Sequence, residues 1–226
     1  MSKPVCVVCG IGPKNGAAFA RRFSREGYAL ALLSRSTEYT SELAEELGDA
    51  KAYACDVSDE AAVKAAFDGV RADLGPVDVL VFNAGSGSWG NIEEISAADF
   101  ERGWRINALG AFLTSKQVID DMIAKEAGNI IFVGATASLR GKPFTTGFAP
   151  AKAAQRSLAQ AMARHLGPKG IHVSLLILDG GVAKPEPDDV KTLDPDDIAS
   201  TAYYLTTQGK SAWTFELDLR PHLESW

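Results

Sequence analysis

The chain has 226 residues, 46% hydrophobic and 23% charged, and its 29 acids against 23 bases give a net charge of −6. That composition supplies a buried core and excludes intrinsic disorder and fibrous structure. At roughly 150 residues per domain the length predicts one domain spanning residues 1–226. A pI near 5.1 gives no electrostatic pull toward nucleic acid or an anionic membrane. No apolar run reaches the roughly 18 residues of a membrane helix. The run Val5–Val8 is too brief for a secretory signal, so a cytoplasmic location is expected.

Val5–Val8 reads as an apolar strand, followed by Gly-rich residues 10 to 16 and a helix with Phe19, Ala20 and Phe23 on one face, ending at Gly27. Tyr28–Leu33 is the next strand, Ser41–Leu47 a helix closed by Gly48, and Lys51–Ala54 a strand. Ser58 opens a helix whose Val63, Phe67, Val70 and Leu74 recur at the helical period until Gly75-Pro76 stops it. Val77–Phe82 is almost wholly apolar. Ser96 and Asp99 suit the cap of one long helix over 97–124, carrying Phe100, Trp104, Leu109 and Phe112. Asn129–Gly134 is a strand, 148–166 a helix and Ile171–Leu178 a strand. The polar, Pro-rich segment Lys184–Asp194 is the one flexible loop expected. Asp194-Pro195 then open a helix to about Thr207, and Thr214–Leu219 is the last strand.

Strands and helices thus alternate, about seven and six in number, and several strands are apolar at consecutive positions. Burial on both faces demands that pattern, which belongs to a parallel sheet covered by helices. The fold class is α/β, a doubly wound, Rossmann-like sheet. Cys6-x-x-Cys9 resembles a redox or metal motif, but in a strand positions three apart point to opposite faces. The odd, sparse set Cys6, Cys9 and Cys55 reads as core, and His165, His172 and His222 join no cluster with it, so no metal is expected.

Ligands of such a sheet bind at its carboxyl edge, where the strand order reverses. The first strand leads there into Gly10-Ile11-Gly12-Pro13-Lys14-Asn15-Gly16. Glycines let the backbone approach a phosphate, and the following helix N-terminus attracts its charge. The second strand ends at Ser34-Arg35-Ser36, without the acid that holds an NAD ribose hydroxyl. A guanidinium and two hydroxyls suit a 2′-phosphate, which points to NADP rather than NAD.

Gly10/Gly12/Gly16, Cys55-Asp56-Val57, Asn83-Ala84-Gly85, Asn107 and Lys152, in this order and spacing, resemble the short-chain dehydrogenase/reductase family over nearly the whole chain. The resemblance implies an oxidoreductase that moves a hydride between NADP and a small carbonyl or alcohol. It places Asp56 and Val57 at the adenine, Asn83, Ala84 and Gly85 at the cofactor ribose, and Lys152 on the nicotinamide ribose. Asn107 would support a water chain to Lys152, and Asp179, Gly180 and Val182 would follow the sixth strand beside the cofactor. A small-molecule substrate and a homodimer or homotetramer, built on the helices at 97–124 and 148–166, are further implications.

The chain departs from the family in its catalytic pattern. The family's Tyr-x-x-x-Lys is here Phe148-Ala149-Pro150-Ala151-Lys152, and the position of the family serine holds Ala135. Lys14 replaces the middle glycine of the cofactor loop, and Asp179-Gly180-Gly181 stands where Pro-Gly is usual. Substitute hydroxyls are Thr136, Ser138, Thr145 and Thr146, with Ser138 the first choice as proton donor beside Asn107 and Lys152. Trp89, Phe144 and Phe148 suggest an apolar pocket, left open by the short 184–194 segment. A non-catalytic NADP-binding regulatory or assembly protein is the alternative, and Lys14 leaves another nucleotide open.

Overall fold

The structure, a computed structural model, describes residues 3–184 and 192–224. Nine strands form among these residues: β1 (Val5–Cys9), β2 (Ala29–Ser34), β3 (Ala50–Ala54), β4 (Val79–Phe82), β5 (Gly128–Ala135), β6 (Ile171–Leu178), β7 (Gly181–Val182), β8 (Thr192–Leu193) and β9 (Glu216–Leu219). Seven make one sheet in the order β3-β2-β1-β4-β5-β6-β9, with every neighbouring pair parallel. The short β7 and β8 pair only with each other. The helices are α1 (Asn15–Arg25), α2 (Glu38–Leu47), α3 (Glu60–Asp73), α4 (Ala97–Trp104), α5 (Gly110–Lys116), α6 (Ile119–Lys125), α7 (Ala149–Leu166) and α8 (Pro195–Thr206).

Every residue of β1, β4 and β6 is buried, as the unbroken apolar runs require. Alternate side chains feed two cores. One holds Val5, Val7 and Cys9 under α3, α5 and α7, and the other holds Cys6 and Val8 under α1, α2 and α8. Cys6 and Cys9 therefore face opposite sides of the sheet, and all three cysteines are free and buried. Phe19 and Phe23 of α1, with no exposed surface, each contribute about 1.5–3 kcal/mol of transfer free energy to the second core.

The long helix expected over 97–124 is broken twice. Asn107 donates its side-chain Nδ2 to the Gly103 carbonyl one turn back, at 2.8 Å. That competition for a helix acceptor accompanies a single π-helical turn over Arg105–Leu109. Thr114 and Ser115 turn their hydroxyls onto the carbonyls of Gly110 and Ala111, at 2.8 and 2.7 Å. Such back-bonding bends helices, and the chain restarts at Ile119 as α6. The helix expected from Ser41 begins earlier, at Glu38. The flexible loop expected over Lys184–Asp194 falls largely on residues 185–191, outside the described residues. Its two flanks are held together by β7 with β8 and by Lys184 on Asp194 at 3.2 Å.

Candidate active site

From β1 the sheet runs through β2 to β3 on one side and through β4 to β9 on the other, so the loops after β1 and β4 part and leave a crevice. Gly10 has φ +89°, and a Cβ on it would stand 2.5 Å from the Ala84 Cα. The β1 and β4 loops can touch only because this residue is glycine, and Asn83 Nδ2 then donates to the Gly10 carbonyl at 2.7 Å. A Cβ at Gly16 would meet the same carbonyl at 2.7 Å. At Gly12 a Cβ would meet nothing within 4 Å, because that residue faces the open crevice.

Helix α1 points its N-terminus into this crevice. Helices α3, α4 and α8 carry side-chain caps from Asp59, Ser96 and Asp194, whereas α1, like α5 and α7, has neither a side-chain cap nor an acid in its first turn. Its positive end is left for an anion from outside.

A groove of about 840 Å³ starts there. Gly10, Gly12, Ser34, Arg35, Asp56, Val57, Asn83, Ala84 and Gly85, residues expected from the sequence to hold a cofactor, all line it. Arg35 is exposed at its end. The Ser34 hydroxyl is engaged with the Ser36 carbonyl and the Thr40 hydroxyl. Asp56 accepts from the Ser58 hydroxyl at 2.7 Å and from the Ser58 amide at 2.9 Å. These bonds, with smaller help from Arg35 and Arg105, hold its carboxyl below the usual range.

At Asn83, Gly85 and Ser86 the groove opens into a second cavity of about 500 Å³, lined also by Asn15, Lys152, Gly180 and Val182. Lys152, on the first turn of α7, is buried. Its Nζ donates to the Val133 carbonyl at 2.9 Å and to Gln155 Oε1 at 3.1 Å. Burial lowers its pKa to about 8. Asn107, held by the π turn, donates to the Ser86 carbonyl at 2.8 Å. Its Oδ1 and the Lys152 Nζ both face Gly85, at 3.3 and 3.6 Å from where a Cβ would stand. That Oδ1 and the Gln155 Nε2 are buried without a hydrogen-bond partner among the described residues. Phe148 packs on Trp89 with ring centroids 5.0 Å apart, and Trp89 on Phe144 at 6.0 Å.

A family model described as short chain dehydrogenase matches residues 4–184. A protein of Xanthobacter autotrophicus named "inactive 2-(S)-hydroxypropyl-CoM dehydrogenase 2" is 34% identical, the match covering 74% of this chain and 73% of that protein. The human 3-oxoacyl-[acyl-carrier-protein] reductase is 31% identical over 76% of this chain and 73% of its own. The chain belongs to the short-chain dehydrogenase family. With it comes membership of the oxidoreductases, and the backbone agrees. The alcohol dehydrogenase of Thermococcus sibiricus, solved with 5-hydroxy-NADP, superposes with a TM-score of 0.91 at 28% identity, covering 99% of both chains.

Within this short-chain dehydrogenase three expected residues stand elsewhere than the sequence suggested. The Ser138 hydroxyl, in a 3₁₀ turn, donates to the Ala135 carbonyl at 2.7 Å, and Ser138 lines neither cavity. Asp179 lines neither cavity either; its carboxylate accepts from the Thr136 hydroxyl at 2.9 Å and faces Arg220 at 3.0 Å. Gly16 lies beneath the loop rather than in the groove wall. Three residues were missed. Gln155 is three positions past Lys152 on a helix, a spacing that places both on one face. Arg140 and Lys142 line the second cavity; their signal was two bases just past the strand that ends at the sheet's carboxyl edge. Among the described residues no helix is long and apolar enough to cross a membrane.

Proposed function

We propose that the protein is an NADP-dependent oxidoreductase acting on a small carbonyl or alcohol, with Lys152 handling the proton that relatives pass through tyrosine. The observation that carries it is the continuous groove from Arg35, past Gly12 and the uncapped α1, to the buried Lys152. The open face of Gly12 and the uncapped helix suit a pyrophosphate, and Arg35 suits a 2′-phosphate. The 5-hydroxy-NADP bound by the archaeal relative supports the same cofactor here.

When bound, the nicotinamide supplies or accepts hydride. Gly10, Gly12, Asn15, Asp56, Val57, Asn83, Ala84, Gly85, Gly180 and Val182 would hold it, and Lys152 would bind its ribose. The proton has few sources. Phe148 and Ala135 have none to give, and the hydroxyls of Thr136 and Thr145 already donate to Asp179 and the Lys142 carbonyl. Lys152, with a pKa of about 8, donates near neutral pH and accepts above it. Asn107 orients this corner through the Ser86 carbonyl. The exposed Phe100, Trp104 and Phe112 of α4 and α5 support a dimer, which sedimentation decides.

The second reading is a nucleotide-binding protein without turnover, favoured by the joint absence of tyrosine at 148 and serine at 135. Calorimetry with NADPH, followed by NADPH consumption on a ketone panel, separates the two. Saturable binding with turnover supports the oxidoreductase, binding with no turnover supports the second reading, and no binding rejects both.

A further inference from the structure

The cavity beside Lys152 has a charge unlike that of the chain around it. The protein carries 29 acids and 23 bases. Among the described residues the cavity is lined by three bases, Arg140, Lys142 and Lys152, and by no acid. The Asp179 carboxylate, outside the cavity lining, is engaged by Arg220 at 3.0 Å and by the Thr136 hydroxyl at 2.9 Å. Arg140 stands farther from the same carboxylate, at 3.7 Å, and Arg220 also faces Asp218 at 3.6 Å. The Arg140 side chain is about half exposed, at 48%. Lys142 is exposed in the same lining, held in place through its backbone, whose amide and carbonyl both bond the Thr145 hydroxyl.

Opposite in character is the aromatic wall. Trp89 is 61% exposed and Phe144 52%, although they pack on each other and, through Trp89, on Phe148. The loops that carry them are fastened together, because the Gly90 amide donates to the Phe144 carbonyl at 2.9 Å and the Thr146 amide to the Gly90 carbonyl at 3.3 Å. A ring lying on this wall regains the burial that Trp89 and Phe144 lack. An anionic group on the same molecule finds Arg140 and Lys142.

We infer that the substrate is a carbonyl compound with a flat apolar body and an anionic group, the body held by Trp89 and Phe144 and the anion by Arg140 and Lys142, all lining one cavity. This rests on the oxidoreductase reading above and names its substrate class. A carboxylate, a sulfonate and a phosphate share the required chemistry.

The test uses purified protein saturated with NADPH, whose binding is measured first, and two matched probes, benzoylformate and its uncharged methyl ester. Benzoylformate should show a KM about tenfold or more below that of the ester. A parallel calorimetric series on the NADP-loaded protein compares phenylacetate, benzylphosphonate and benzyl alcohol; the two anions should bind more tightly, and their order identifies the preferred group. The doubly substituted Arg140→Gln/Lys142→Gln protein should lose the preference for acid over ester, whereas Lys51→Gln/Lys64→Gln, an equal loss of two charges at exposed residues that line neither the groove nor this cavity, should keep it. Equal KM values for acid and ester, or a preference that survives the double substitution, would overturn the inference while leaving the oxidoreductase reading intact. A double variant that loses NADPH affinity instead would assign the two bases to the cofactor and overturn it as well. Failure of the unmodified protein to bind NADPH counts against the parent reading.

Discussion

The Lys152 Nζ donates to Gln155 Oε1 at 3.1 Å, a buried ammonium bonded one helical turn on to a neutral amide rather than to a carboxylate. Burial alone accounts for its lowered pKa of about 8. An amide with no charge cannot restore the lost hydration, so the lysine is poised to release its proton close to physiological pH.

The same burial ties stability to pH. An unfolded lysine keeps its proton to a pH of about 10.4, whereas folded Lys152 releases it at about 8. Between those values the unfolded chain binds more protons, so stability rises with pH across the window. Below it, the full cost of the buried charge is present. Relative to Lys152→Met, the native chain should gain on the order of 3 kcal/mol as pH rises through that window, read by denaturant unfolding at a series of pH values. A pH-independent difference would show that Lys152 titrates normally.

Gln155 sets the position of that ammonium. Gln155→Leu removes an acceptor of the charged form and should shift the pH midpoint of reduction downward, whereas Gln155→Glu should shift it upward. The profile of kcat against pH is the readout, with ketone reduction declining above the midpoint and alcohol oxidation rising. Midpoints unmoved by both variants would reduce Gln155 to a packing residue.

The glycines of the first loop divide by what surrounds them. Gly10→Ala places a Cβ 2.5 Å from the Ala84 backbone at φ +89°, and should lower Tm strongly. Gly12→Ala has open space and should leave Tm nearly unchanged while weakening NADPH binding, because the added methyl stands where a phosphate would lie. Thermal unfolding and calorimetry on the two variants separate fold from binding.

Much of this was legible from the sequence, for identifiable reasons. Strands such as Val79–Phe82 announce burial on both faces by their unbroken apolar runs, and the period of two placed Cys6 and Cys9 on opposite sides. The π turn at Asn107 was not legible, since it arises from one side chain taking the Gly103 carbonyl and leaves no compositional mark. Ser138 was misjudged because a hydroxyl in a tight turn finds its own chain three residues back. Asp179 and Arg220 lie 41 positions apart and meet only because β6 and β9 are sheet neighbours. A buried Gln155 reads in the sequence as an ordinary solvent-facing helix residue.

The proposed reading assigns cofactor choice to Arg35. Arg35→Ala should weaken NADPH roughly tenfold to a hundredfold, the range of a lost charge-assisted hydrogen bond. NADH, which lacks the 2′-phosphate, should be nearly unaffected. Equal losses would place the guanidinium away from the ribose.

Restoring the family's missing groups tests the proton step directly. Phe148 stands at the mouth of α7 with its ring centroid 5.9 Å from the Lys152 Nζ. A phenol there would gain a cationic neighbour that lowers its pKa, and Ala135→Ser would supply a hydroxyl at the end of β5. A positioned acid is worth about 10²- to 10⁴-fold, so Ala135→Ser/Phe148→Tyr should raise NADPH turnover on simple ketones within that range if protonation limits the native rate. The gain should be lost on adding Lys152→Met. Unchanged turnover with intact NADPH affinity would count against an otherwise intact reductase site in which protonation limits the rate.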